Sequence, residues 1–354
     1  MTGFTFGRCP RIVFGAGTFR EAGAIAGDLG RKVLLVTGAH SLRDSGRLAA
    51  LLEDLERRSI DHVHVAVRGE PSPDFVDAAV RENRGTGMDV VLAVGGGSVI
   101  DAGKAISAML PSGAPVTDYL EGVGGAVHTG AKLPFVAVPT TAGTGSEATN
   151  NAVLSRTGPG GFKRSLRHED FYPDVALVDP ELALACPPAV SASCGMDALT
   201  QLLESYVSSR ATLLTDALAW SGLERAGGSL PAVCGKGAGD VEARTDMAYA
   251  ALVSGMALAN AGLGVVHGFA SSIGGLYDIP HGVVCGTLLG EATRANISCL
   301  ERAGEKGEEA LRRYAHVGAL LSGHSSGDVR EDCGSLLNTL DVWTEELDLP
   351  RLGR

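Results

Sequence analysis

The sequence predicts an α/β protein with a parallel sheet in its first half and mainly helices in its second half. Strand-like and helical patterns alternate through the first half at the spacing of βα units. The 354 residues include 49 glycines and only 5% aromatic residues, which suits tight βα turns better than an all-β sandwich. Beyond about residue 185 the strand-like patterns stop. Long helical patterns follow at 195–208, 211–226, 240–260 and 305–322.

Short apolar segments of the first half have the pattern of strands. They are 11–15, 32–37, 61–67, 89–94 and 133–138. Regularly spaced leucines indicate a helix over 43–58, and a turn at 70–74 caps a second helix over 75–84. Parallel strands end at one edge of their sheet, so we expect ligands to bind at that edge.

Charge and cysteine content argue against several classes of function. The net charge of −11 disfavours nucleic acid or an anionic membrane as a main partner. The opening residues MTGFTFGRCP are too polar for a secretory signal, so we expect a cytoplasmic protein. The seven cysteines are odd in number and form no CxxC pair, which indicates reduced thiols rather than a disulfide framework or a thiolate zinc site.

A glycine-rich loop follows the strand at 89–94. Gly95, Gly96 and Gly97 precede a helix, where backbone N–H groups and the helix dipole can face an anion. The loop is not a Walker A motif, because five residues separate Gly97 from Gly103 and Ala105 replaces the hydroxyl residue that magnesium needs. We therefore expect a pyrophosphate rather than a triphosphate, with a plain tight turn as the alternative.

The loop at 139–147 has a similar character. It follows the strand at 133–138 and contains four hydroxyl side chains and two glycines. This composition suits phosphate and ribose groups, although a solvated loop is the alternative. Two such loops after two strands of one sheet favour a nucleotide-binding site more strongly than either loop alone.

The segment from Ala261 to Gly282 holds His267 and His281, fourteen residues apart, among small and apolar residues. Neutral histidine is the commonest metal ligand, and a buried imidazole needs a partner. Two alternatives stay open. One is a core helix with a single hydrogen-bonded histidine, and the other is a membrane span over 256–277, which its many glycines disfavour.

Five motifs occur in the order found in one enzyme family. They are GGGSVIDAGK, PTTAGTGSEAT, PDVALVDPEL, GMDALTQLLESYVS and the segment with the two histidines. From about Arg11 to about Ala295 the sequence resembles the iron-containing (group III) alcohol dehydrogenases. The final LDLPRLGR lies where family members would continue, so we expect a shorter C-terminal part.

This resemblance implies the dehydroquinate synthase-like fold of that family. We expect an α/β dinucleotide-binding domain over 1–185 and an all-helical metal and substrate domain over 186–354. The boundary would lie near Cys186–Pro188, and the active site would lie in the cleft between the domains. The resemblance also implies a homodimer.

The resemblance further implies a divalent metal, Fe²⁺ or Zn²⁺, held by one aspartate and three histidines. Asp197, His267 and His281 match three of these ligands, and Gln201 stands at the fourth position. An amide oxygen binds such metals more weakly than an imidazole. Ser271 is a second departure, because relatives often have a histidine there that lines the substrate pocket.

The cofactor would be NADP or NAD. No acidic side chain follows the second strand, which ends in Gly38, so nothing repels a 2′-phosphate and the sequence favours NADP. His40 or Arg43 could approach that phosphate. Asp101 and Asn151 are expected at the nicotinamide end, or as structural caps. The other expected contacts are Ser72, Gly96, Gly97, Ser98, Thr140, Thr141, Thr144 and Lys163.

The resulting functional prediction is an NAD(P)-dependent alcohol dehydrogenase or carbonyl reductase. It would interconvert a small alcohol and its aldehyde or ketone by metal-assisted hydride transfer. The alternatives are a metal-free enzyme like maleylacetate reductase, a lyase related to dehydroquinate synthase, and a catalytically silent nucleotide-binding homologue. Without a metal, His267, His281 or Ser271 would have to stabilise the developing alkoxide.

Overall fold

A six-stranded parallel sheet forms the centre of the N-terminal half in the computed structural model, which describes residues 3–350. The strand order is β1-β8-β5-β4-β2-β3, and β6 pairs with β7 in a separate antiparallel hairpin. The strands are β1 (Arg11–Phe14), β2 (Lys32–Gly38), β3 (Asp61–Val67), β4 (Val90–Gly95), β5 (Phe135–Pro139), β6 (Asn151–Arg156), β7 (Phe162–Arg167) and β8 (Val175–Val178).

Twelve α-helices complete the described part of the chain. They are α1 (Ala22–Leu29), α2 (Ser41–Asp44), α3 (Arg47–Arg57), α4 (Pro73–Asn83), α5 (Gly97–Met109), α6 (Pro188–Tyr206), α7 (Leu213–Cys234), α8 (Val241–Ala261), α9 (Val265–Leu276), α10 (His281–Arg302), α11 (Glu308–Ser322) and α12 (Val329–Glu346).

The predicted fold class is confirmed. All five predicted strands are present, and within residues 3–350 no strand follows Val178. The proposed division between residues 185 and 186 stays a prediction, although β8 ends at Val178 and α6 begins at Pro188. The last four residues of the LDLPRLGR segment lie outside the described residues.

The sheet is buried on both faces, as parallel sheets usually are. Leu34 and Val36 of β2 pack with residues of α4 and α5. Val33 and Leu35 point to the other face, where they pack with Leu55 of α3 and residues of α1. Helices on both faces leave the carboxyl ends of the strands as the open edge, which is where the predicted loops lie.

The loop after β5 lies directly against helix α8. Gly145 has a positive φ of 62°, and its backbone is so close to Gly255 that a side chain on either would overlap the other. Ala148 and Val178 pack against Leu252 nearby. These contacts hold the helices beside the open edge of the sheet.

A sharp bend between α8 and α9 sets the direction of α9, the helix that carries His267. Helix α8 ends at Ala261 and is followed by Gly262, which has a φ of 71°, and the axes of α8 and α9 differ by 99°. Among the described residues no single helix is long and apolar enough to cross a membrane, although α8 and α9 taken together would be by length and composition.

Candidate active site

Four potential metal ligands meet where helices α6, α9 and α10 come together. They are Asp197, His267, His281 and Cys285, and their ligand atoms all lie within 4.8 Å of one another. Nε2 of His267 is 3.3 Å from Oδ1 of Asp197, and Nε2 of His281 is 3.8 Å from the same oxygen. The Cys285 sulfur is 3.8 Å from Nε2 of His267 and 3.7 Å from Nε2 of His281.

Helix α6 supplies three polar side chains from one face, at a spacing of four and then three residues. Asp197, Gln201 and Glu204 are all buried. The amide oxygen of Gln201 lies 2.7 Å from the hydroxyl of Ser254, which donates a hydrogen bond to it. The sequence-based assignment of Gln201 as a metal ligand therefore stays a prediction. Its amide oxygen already accepts one hydrogen bond.

Glu204 orients His267. Its Oε2 is 2.7 Å from Nδ1 of His267, and its Oε1 accepts the backbone N–H of Val266 at 2.8 Å. With Nδ1 donating to Glu204, Nε2 faces Asp197 and the other ligands. Metal-bound histidines commonly have such a carboxylate partner on the second ring nitrogen.

The protonation of the two histidines differs. Burial alone lowers the pKa of His267, but Cys285, Asp197 and Glu204 outweigh it and hold that pKa well above its usual value. Burial lowers the pKa of His281 to about 4, so this imidazole is neutral at pH 7. Burial raises the pKa of Asp197, but attraction to His281 and the hydrogen bond from His267 lower it overall.

His281 is the first residue of α10, and Cys285 follows one turn later. Nδ1 of His281 is buried and has no hydrogen-bond partner among the described residues. Burial raises the pKa of the Cys285 thiol to about 11.

The sequence did not predict a role for Cys285 or for Glu204. Their spacing was the available signal. Cys285 comes four residues after His281 and Glu204 comes seven residues after Asp197, and residues at these spacings share a helix face.

One cavity of about 230 Å³ joins this cluster to the sheet edge. On the helical side it is lined by Gln201, His267, Ser271 and His281, among others. The Ser271 hydroxyl donates to the carbonyl of His267 at 3.0 Å. On the sheet side the lining includes Gly97, Ser98, Asp101, Thr144, Asn151 and Lys163. The structure therefore brings most of the expected cofactor contacts to the same space as the expected metal ligands.

A second cavity, of about 250 Å³, lies on the other side of the N-terminus of α5. It is lined by Gly96, Thr140 and Thr141, together with Ser45 and Arg47 from the α2–α3 region. Gly96 and Gly97 thus face different cavities, and the start of α5 lies between them. A dinucleotide that spans both cavities would place its pyrophosphate at this helix N-terminus.

Several expected contacts have structural partners of their own. Asp101 accepts hydrogen bonds from the Ser146 hydroxyl and the Val153 backbone N–H. Asn151 donates to the Ser165 hydroxyl at 3.2 Å. Nζ of Lys163 is 2.6 Å from a Glu70 carboxylate oxygen, an ion pair that the sequence did not reveal.

Gly38 and Ser72 do not line either cavity. Gly38 ends β2 at the open edge, and the Ser72 hydroxyl caps α4 by accepting the Phe75 backbone N–H at 3.2 Å. Arg43, one of the two residues expected near a 2′-phosphate, forms an ion pair with Asp44 at 3.0 Å.

Comparison with known proteins identifies the family. The family model for iron-containing alcohol dehydrogenase matches residues 9–180, and the model for the C-terminal part of that family matches residues 191–351. The chain is 35% identical over 347 residues to alcohol dehydrogenase 4 of Saccharomyces cerevisiae, covering 97% of this chain and 85% of the yeast protein. It is 34% identical over 323 residues to the NAD-dependent methanol dehydrogenase of Bacillus methanolicus, covering 90% and 80%.

Solved structures agree with this result. An archaeal halo-thermophilic alcohol dehydrogenase from a Red Sea brine pool superposes with a TM-score of 0.89 at 27% identity, over 99% of this chain and 87% of that one. A 1,3-propanediol oxidoreductase superposes with a TM-score of 0.86 at 30% identity, over 99% and 88%. The chain belongs to the iron-containing alcohol dehydrogenase family.

Proposed function

We propose that this protein is a nicotinamide-dependent alcohol dehydrogenase that interconverts a small alcohol and its aldehyde or ketone. The observation that carries the proposal is the shared cavity. Asp197, His267 and His281 line or adjoin the same space as Ser98, at the start of α5, and Thr144, in the loop after β5. A hydride donor held at the sheet edge could therefore reach a carbonyl held at the helical side.

The donor set fits a divalent metal ion such as Fe²⁺ or Zn²⁺. Asp197 supplies a carboxylate, His281 is neutral at pH 7, and Glu204 turns Nε2 of His267 toward the other donors. When bound, such an ion acts as a Lewis acid that polarises a carbonyl or stabilises an alkoxide. The fourth ligand expected from the sequence is Gln201.

The remaining residues of the cavity bind and orient. The N-terminus of α5 and the threonines after β5 would hold the pyrophosphate and ribose, as helix N-termini and hydroxyl loops do. Lys163 and Asn151 line the cavity, and we assign them to its nicotinamide side. Ser271 and Gln201 face the space left for the substrate. The amide N–H group of Gln201 can donate to the substrate oxygen, whereas the Ser271 hydroxyl donates to the His267 carbonyl and can accept a hydrogen bond from the substrate.

The finer assignments stay proposals. NADP is supported only by the absence of an acid at Gly38, and Arg43 is already paired with Asp44. NAD is supported by the printed name of the Bacillus methanolicus relative. Zinc as the metal, a homodimer and a cytoplasmic location likewise stay predictions. The metal-free alternative has one supporting observation, which is the hydrogen bond that occupies the Gln201 oxygen.

The test combines metal content, nucleotide binding and turnover. The purified protein should contain about one metal ion per chain and should oxidise NADH or NADPH with a panel of short aldehydes and ketones. Asp197→Ala should lose the metal and the turnover but keep nucleotide binding. Asp341→Asn, a partly exposed carboxylate on α12, is the control and should keep all three.

Three other outcomes would contradict all or part of this proposal. Turnover that survives in Asp197→Ala would remove the metal from the mechanism and favour the metal-free reductase. Nucleotide binding without any turnover would favour the silent homologue. Absence of nucleotide binding in the wild-type protein would contradict the whole proposal.

A further inference from the structure

We propose that the Cys285 thiolate is a metal ligand, so that Asp197, His267, His281 and Cys285 hold the ion between α6, α9 and α10. The inference rests on the proposed function, because it concerns the same site. In this set of ligands the Cys285 sulfur is the fourth donor, in place of the Gln201 amide oxygen that the sequence suggested. It also revises the interpretation of the cysteines as thiols without a metal role.

The spacing of the donor atoms matches a tetrahedral site. With metal–sulfur bonds of about 2.3 Å and metal–nitrogen bonds of about 2.0–2.1 Å, tetrahedral angles place sulfur about 3.6 Å from nitrogen. The Cys285 sulfur lies 3.8 Å and 3.7 Å from the two imidazole Nε2 atoms. The same geometry places nitrogen and oxygen donors about 3.3 Å apart. His267 and Asp197 have this separation, at 3.3 Å, and His281 is 3.8 Å from Asp197.

Cys285 is held in this position by its helix. His281 and Cys285 are four residues apart on α10, so both side chains project from one face toward α6 and α9. The Cys285 side chain is fully buried. Cys333, another buried cysteine of the helical half, instead lies against a backbone carbonyl of α11, at 3.5 Å. Among the cysteines in residues 3–350, Cys285 is the one grouped with other potential ligands.

Competition favours sulfur over the amide. The buried carboxylates of Asp197 and Glu204 already supply two negative charges beside the ion, so charge alone does not distinguish Cys285 from Gln201. The Gln201 oxygen already accepts a hydrogen bond from Ser254, and that bond would have to be shared or broken.

The changed donor set predicts a changed metal preference. Thiolate is a softer ligand than imidazole or amide oxygen, and tetrahedral sites with sulfur and nitrogen donors suit zinc. Zn²⁺ binds most nitrogen and oxygen sites more tightly than Fe²⁺, so we expect the ratio of the two affinities to be larger in the wild-type protein than in Cys285→Ser. Cobalt, which is spectroscopically visible, should occupy the same site.

The experiment reads the metal–sulfur bond directly. The full-length apoprotein is loaded with Co²⁺, and a thiolate-to-cobalt charge-transfer band is measured in the near ultraviolet. The band should appear in the wild-type protein, in the matched control Cys333→Ser and in Gln201→Ala. It should disappear in Cys285→Ser, whose metal affinity should fall by about tenfold or more.

A second measurement does not depend on any variant. X-ray absorption by the zinc-loaded wild-type protein should show sulfur scattering at about 2.3 Å in addition to nitrogen and oxygen at about 2.0–2.1 Å. It decides the question even if Cys285→Ser does not fold. One metal per chain with only nitrogen and oxygen neighbours would overturn the inference.

The outcomes separate this inference from the proposed function. Bound metal without a sulfur neighbour, together with aldehyde reduction, would disprove the role of Cys285 and leave the dehydrogenase intact. Failure to bind any metal would overturn the inference as well. In that case turnover by the same preparation would show whether a metal-free reductase remains.

Discussion

Glu204 determines which nitrogen of His267 is available at the site. Its carboxylate lies 2.7 Å from Nδ1, so Nε2 is left to face Asp197. Removing the negative charge with Glu204→Gln keeps the size of the side chain but weakens this bond and makes the ring less basic. Removing such a partner of a metal-bound histidine typically lowers metal affinity by about 10- to 100-fold, and we expect a decrease of that size here. Competition with a chelator of known affinity measures the change.

The control for this prediction is Glu291→Gln, which changes an exposed carboxylate on α10 near Arg294. It should leave metal affinity unchanged. Unaltered affinity in Glu204→Gln would mean that Nε2 of His267 needs no carboxylate to reach the site. Thermal unfolding of both variants separates a local effect from a general loss of stability.

At the scale of single residues, the sequence predicts part of the site. Asp197, His267 and His281 could be named from motifs whose residue types are those that bind metals. Cys285 and Glu204 could not, because a cysteine or glutamate on a helix face has many uses. Their role depends on how α6, α9 and α10 cross. That crossing follows from packing over distances that no local pattern records.

At the scale of elements, the start of α5 is the feature that both cavities share. A methyl group added to Gly97 would lie 2.5 Å from Cγ2 and 2.7 Å from Oγ1 of Thr144. Thr144 is branched at Cβ and cannot easily turn away. We expect Gly97→Ala to cost about 1 to 3 kcal/mol through overpacking. If the cost falls on the bound state, the Kd for the nicotinamide cofactor rises about tenfold per 1.4 kcal/mol, measurable by calorimetry.

Gly334→Ala provides the matched control, since this glycine is also helical but has open space where the methyl group would go. It should leave cofactor binding unchanged and raise stability by about 0.5 to 1 kcal/mol, because alanine restricts the unfolded chain. Equal cofactor affinity in Gly97→Ala and wild type would mean that the strain between the added methyl group and Thr144 is the same in the free and the bound protein.

The elements themselves were predictable to different degrees. Five of the six strands of the sheet are short and apolar, and this pattern predicted them. The sixth, β8, was not among the predicted strands. The β6–β7 hairpin was missed because β7 carries Lys163, Arg164 and Arg167, which do not resemble a buried strand. The helical pattern over 240–260 agrees with α8 (Val241–Ala261), but the 99° change of direction after it was not predicted, because no local pattern specifies the angle between two helices.

At the scale of the whole molecule, buried Glu147 makes stability depend on pH. Burial raises the pKa of its carboxyl group from an ordinary value of 4.5 to about 7. Between these values the unfolded chain releases a proton that the folded chain retains, so stability falls as pH rises through this window. We expect Glu147→Gln to remove the effect. Its advantage in unfolding free energy over wild type should be about 2 to 3 kcal/mol larger at pH 8 than at pH 5.

Urea unfolding at the two pH values measures that difference. Glu53→Gln, an exposed residue of α3, is the control and should differ from wild type equally at both pH values. An advantage for Glu147→Gln that does not change between pH 5 and pH 8 would mean that Glu147 is ionised in the folded protein at both.

The metal site also links parts of the chain that are far apart in sequence. Asp197 lies on α6, His267 on α9 and His281 on α10, so an ion bound to all three connects helices that would otherwise separate on unfolding. A ligand that binds only the folded state stabilises it by about 2.7 kcal/mol when its concentration is 100 times its Kd. We therefore expect added Zn²⁺ to raise the thermal unfolding midpoint by several degrees, and a chelator to reverse the increase. Asp197→Ala should show neither change. An equal increase in Asp197→Ala would mean that the ion stabilises the protein from another site.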